Sequence, residues 1–91
     1  MSIPQASFDT QRTITSEQLR AARALLRWEQ RDLAEASSVS LPTIKRIETR
    51  PGIITAHLQT TKSLIRALEE AGIEFLPEAS GGMGVRFRSK L

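Results

Sequence analysis

The spacing of apolar positions changes twice along the chain, and the changes divide it into three segments. Residues 1–13 are polar, contain Pro4 and show no apolar period, which predicts a flexible N-terminal arm. From Ile14 onward the apolar residues Leu19, Ala22, Leu25 and Leu26 fall at helical spacing, so a first helix is expected over about 16–27. Its start is well marked. Thr15 can cap the free amides while Gln18, three residues on, reaches back to close a capping box. Ile14 and Leu19 stand where a hydrophobic staple would sit, and Trp28 is expected to close the helix and pack into the core.

Gln30 to Ala36 reads as a short second helix with Leu33 and Ala34 facing inward, followed by a Ser37-Ser38-Val39-Ser40 turn. Ser40 is a good N-cap for a third helix, Leu41 to about Glu48, with Ile44 and Ile47 on its inner face. Pro42 falls in the first turn, where a missing N–H costs little, and Thr49-Arg50-Pro51-Gly52 breaks the helix. A fourth helix is expected over about 56–71, capped by Thr55, with Thr61, Leu64, Ile65, Leu68 and Ala71 as its stripe and Gly72 beyond its end. There the period becomes two. Ile73-Glu74-Phe75-Leu76 and Val85-Arg86-Phe87-Arg88 alternate around a loop from Pro77 to Gly84, predicting a β-hairpin. Ile73, Phe75, Val85 and Phe87 would share one face, with Glu74 opposite Arg86 or Arg88 on the other. The fold class is therefore mainly α: an arm over 1–13, a helical domain over 14–72 and a C-terminal β-hairpin over 73–91.

Composition narrows the function classes. A chain of 91 residues holds one compact core. The absence of cysteine excludes disulfides and thiolate zinc sites. With one histidine and no clustered carboxylates there is no evident nucleophile–base pair or metal set, so neither an enzyme nor a cofactor is expected. No signal-peptide pattern opens the chain, and no apolar run approaches the roughly 20 residues that cross a bilayer, so the expectation is a cytoplasmic protein without a membrane partner. Thirteen Lys and Arg against ten Asp and Glu give a formal charge of +3, which favours a polyanionic partner without proving one.

Function is concentrated in Gln30 to Glu48. Two short helices joined by a four-residue turn must cross steeply, and Ala34 supplies the small residue where their backbones approach. Val39, Ile44 and Ile47 supply the apolar contacts, and the second helix then projects far enough to enter a major groove. Nine positions at fixed spacing, Gln30, Leu33, Ala34, Val39, Ser40, Thr43, Ile44, Ile47 and Glu48, resemble the helix-turn-helix of the XRE family, the phage-repressor and Cro-like regulators. The resemblance spans roughly 14–72. It implies a four-helix Cro/phage-repressor-like domain, here with a C-terminal β-hairpin. The implied function is that of a double-stranded DNA-binding transcriptional regulator, a homodimer reading a palindromic operator through the major groove. The chain departs from the family pattern in three places. Ser38 stands at the turn glycine, Glu29 at the usual Ser or Thr, and Leu41-Pro42 where many members carry polar base-reading side chains.

Carried over by position, the resemblance assigns base contacts to Leu41, Pro42, Lys45 and Arg46, and phosphate contacts to Gln30, Thr43 and Arg50. Arg46 has the fork that bridges guanine O6 and N7, while Leu41 and Pro42 can meet only thymine methyls. Without the motif, Lys45 and Arg46 read as a solvated face, with Glu48 paired to Lys45 or Arg50. Arg20, Arg23 and Arg27 read as surface solvation, and Arg12 is a weaker candidate for reaching a groove from the arm. The dimer interface is expected at Phe75, Leu76, Val85 and Phe87. A different class of function stays open: an antitoxin or anti-activator that uses a repurposed helix-turn-helix to bind a protein, a toxin or another transcription factor.

Overall fold

The computed structural model describes residues 12–78 and 81–88, so the expected arm lies almost wholly outside it. Among these residues the chain forms four helices and one antiparallel hairpin: α1 (Ser16–Leu26), α2 (Gln30–Ser37), α3 (Leu41–Thr49), α4 (Leu58–Glu70), β1 (Ile73–Leu76) and β2 (Gly84–Phe87). None of the described helices is long and apolar enough to cross a membrane.

Local chemistry accounts for most boundaries. The Thr15 hydroxyl accepts from the Gln18 amide at 3.0 Å, and the Thr15 amide donates to Gln18 Oε1 at 2.8 Å, completing the expected capping box. α1 ends at Leu26 because Arg27 turns left-handed (φ 58°), a conformation that stops the ladder, while Trp28 N–H reaches back to Arg23 O. Ser38 likewise adopts φ 62°, so this chain makes the left-handed turn there without glycine. Ser40 caps α3 through a 3.3 Å bond from the Thr43 amide, with Pro42 in the first turn.

α4 departs from expectation. It begins at Leu58, not near 56, and its N-cap is His57 with no side-chain cap, so Thr55 does not serve. The cause is tertiary. Ile53 bridges to Thr15 and the Ile54 amide donates to Ile14 O at 3.0 Å, which holds the preceding backbone extended and delays the helix. Its other end follows the sequence, with Gly72 at φ +108° just past the C-cap Ala71.

The core collects Ile14, Leu19 and Ala22 from the α1 region, Leu33 from α2, and Ile44 and Ile47 from α3. It is completed by Leu64, Ile65, Ala67 and Leu68 of α4, with Ile73 and Phe75 of β1. The hairpin pairs Ile73 with Phe87, Glu74 with Arg86, and Phe75 with Val85, the alternation read from the sequence. It is not an appendage. β1 packs against α4 and β2 against α1, and the buried Gln18 side chain ties both strands to α1 by donating to Leu76 O (3.3 Å) and Gly84 O (2.9 Å). Gln18 therefore closes the α1 cap and the mouth of the hairpin at once.

Candidate nucleic-acid interface

The α2–α3 turn is built by serines. Ser37 donates its hydroxyl to Leu33 O at 2.7 Å and accepts from the Val39 amide at 3.1 Å, while Ser40 donates to the Thr43 hydroxyl at 2.8 Å. That last bond satisfies Thr43 as an acceptor and leaves its own proton for an outside group. Downstream, Ile44, Ile47 and Glu48 face inward from α3, and Pro42, Lys45, Arg46 and Thr49 are exposed. Leu41 is half-buried beside them. Among the described residues neither Lys45 nor Arg46 has an ion-pair partner.

Glu48 is 5% exposed, and its charge is met from α1 and not from its own helix. Arg23 grips it in a two-pronged bond, Nε to Oε2 at 2.8 Å and Nη2 to Oε1 at 2.7 Å. Gln30 Nε2 adds a 3.0 Å bond to Oε1, and Arg20 Nη1 donates to the Glu48 carbonyl at 3.0 Å. Two expectations are corrected here. Glu48 pairs with neither Lys45 nor Arg50, because its side chain points into the α1 interface while theirs point to solvent. Arg23 is not a solvated surface residue, since burial of Glu48 requires a cation beside it. Gln30, expected at a phosphate, spends one amide proton on Glu48 and keeps a second for an external acceptor.

This internal pairing sets the sign of the surface. From Ala36 to Leu68 the only carboxylate is Glu48, and it is buried and neutralised by Arg23. The same stretch contains Lys45, Arg46, Arg50, Lys62 and Arg66, of which all but the half-buried Lys62 are exposed. Arg50 is the C-cap of α3, and with Arg46 it borders a cleft of about 400 Å³ lined also by Ile47, Ile53 and Ile54. The turn after Arg50 is tethered to the start of α1. Gly52, at φ +93°, accepts from the Ser16 amide at 2.9 Å and donates its own amide to Glu17 Oε1 at 3.1 Å. That backbone donor, reinforced by Arg20, holds the Glu17 carboxyl below its ordinary range.

The remaining candidates are dispersed. Phe75, expected at a dimer interface, is 9% exposed and belongs to its own chain's core, because the pleat that carries Ile73 inward carries Phe75 with it. Leu76 and Val85 are half-buried, and Phe87 is 53% exposed. Arg12 bonds Glu69 at 2.6 Å, an alternative to the groove contact considered from the sequence. Glu74 meets Arg86 across the strands at 3.1 Å, which lowers the carboxyl and raises the guanidinium from their ordinary values. No group of His, Asp or Glu suited to a metal ion occurs among the described residues. Sequence reasoning missed Arg23 and Glu17 as parts of the site. Both act across more than 20 positions of sequence, where no spacing rule links them to a partner. No protein-family model matches the chain, and comparison with curated proteins gives no match.

Proposed function

We propose that this chain is a non-enzymatic, sequence-specific binder of double-stranded DNA, a four-helix domain of the Cro/phage-repressor kind. On this reading it regulates transcription in the cytoplasm as a homodimer on a palindromic operator. One observation carries the reading: the residues of α3 and of the turn after it contribute only positive charge to the surface, since the single carboxylate of that stretch is buried against Arg23. The exposed carboxylate beside the turn, Glu17, belongs to α1 and is bonded to the Gly52 amide. A short helix with cations on its exposed face suits a major groove walled by phosphates. Arg46 and Lys45 then meet base edges together with Leu41 and Pro42, while Gln30, Thr43 and Arg50 meet phosphates.

A specific observation also favours a second reading. The leading turn of α3 presents Pro42 in the open and Leu41 half-covered, an apolar opening that suits contact with a protein such as a toxin or a transcription factor. Salt separates the two. Phosphate neutralisation makes affinity fall steeply with ionic strength, whereas an apolar contact changes little. Fluorescence anisotropy on DNA from upstream of the coding sequence, against a scrambled duplex at several salt concentrations, is the test. The DNA reading expects preference for the native duplex by about two orders of magnitude or more and a steep salt slope. Weak binding that ignores sequence turns the reading to the protein partner.

A further inference from the structure

The turn that presents Arg50 has no regular structure of its own, and the first turn of α1 holds it. Both backbone polar groups of Gly52 are taken by consecutive residues: its carbonyl by the Ser16 amide at 2.9 Å, its amide by Glu17 Oε1 at 3.1 Å. Two residues on, the Ile54 amide is anchored to Ile14 O at 3.0 Å. Ser16 and Ile14 contribute through their backbones and are indifferent to side-chain identity. Glu17 is the one side chain in the clamp. We infer that Glu17 is a positioning residue for DNA binding: its carboxylate holds the Gly52 amide and so fixes the turn from which Arg50 reaches a phosphate. This rests on the DNA-binding reading and assigns a role to a residue outside the helix-turn-helix.

Electrostatics gives the inference an unusual sign. Glu17 is exposed and negative on a protein whose formal charge is +3, so removing its charge alone strengthens attraction to DNA. A positioning role predicts the reverse for any substitution that also removes the acceptor oxygen. Glu17→Gln and Glu17→Ala make the same change in charge, but only glutamine keeps an oxygen that can accept from Gly52.

The experiment measures DNA affinity by anisotropy at fixed salt for the full chain and both variants, each also carrying Arg50→Ala. Amide exchange at Gly52 is followed by NMR, with thermal unfolding confirming that every variant is folded at the assay temperature. Glu17→Gln is expected to bind at least as tightly as the parent, and Glu17→Ala roughly 3- to 10-fold more weakly than Glu17→Gln. In the Arg50→Ala background the two variants bind alike, because the group being positioned is gone. Gly52 exchanges faster in Glu17→Ala alone. Equal binding by the two variants, or a difference that survives Arg50→Ala, overturns the positioning role while leaving DNA binding intact. Absence of DNA binding by the parent chain overturns both readings together.

Discussion

At the scale of single residues, Glu48 is a buried carboxylate that joins three helices. It lies in α3 yet belongs electrostatically to α1, where Arg23 meets both of its oxygens and the Gln30 amide completes its bonding. A carboxylate with so little exposure is tolerated only because those donors replace its hydration. Removing one partner strands the other. Glu48→Ala should therefore cost about 3 kcal/mol of stability in urea unfolding, since Arg23 is left largely buried without a counterion. Adding Arg23→Ala should then cost much less than it does in the parent chain, and additive losses would show the pair to be uncoupled. Spacing offered Glu48 only Lys45 or Arg50 as partners; the partner it has lies 25 positions away on another helix, and proximity of that kind is decided by packing rather than by spacing.

At the scale of elements, local chemistry and tertiary contact divide the boundaries between them. The Thr15–Gln18 box and the Ser40 cap are set by neighbours in sequence and were legible there, as was the shared face of the hairpin, whereas its register was open between Arg86 and Arg88 and falls on Arg86. The start of α4 was not legible. Thr55 is a good cap by type, yet the Ile53 bridge and the Ile54–Ile14 bond tie the chain just before it to the start of α1, and the helix begins only after His57. On the proposed DNA-binding reading α3 is the element that enters the groove, and its two arginines should behave differently in binding assays. Arg46, exposed on the outer face, is expected to lose ~1–3 kcal/mol of affinity on conversion to alanine and to relax preference at one base pair. Arg50, at the helix end, should weaken all duplexes about equally and lower the salt slope by about one unit. If Arg46→Ala leaves both affinity and base preference untouched, α3 does not dock in the register proposed.

At the scale of the molecule, the hairpin seals the core, and the proposed homodimer would draw on the same residues. Ile73 and Phe75 seal the core beneath α4 and α1, so only Leu76, Val85 and Phe87 remain for a second copy. Alternation identified which residues share a face; it could not tell that the first half of that face would be consumed internally. For this reason a chain ending at Gly72 is a poor probe of dimerisation, because it would remove two core residues along with the surface. Phe87 is the better probe. It is 53% exposed and ends β2, where a two-fold axis would bring it against its own copy and cover an open strand edge. Phe87→Ser should convert a dimer to a monomer by light scattering, while at concentrations where the parent is also monomeric it should move the thermal midpoint little, since in the single chain the side chain is already half in water. DNA affinity should fall with it, because two linked domains about one helical turn (~34 Å) apart bind as a unit and a monomer reads one half-site. A parent chain that scatters as a monomer at assay concentration removes the homodimer from the proposal. A Phe87→Ser variant that stays dimeric moves the interface off the hairpin, to a surface that does not include the second strand's end.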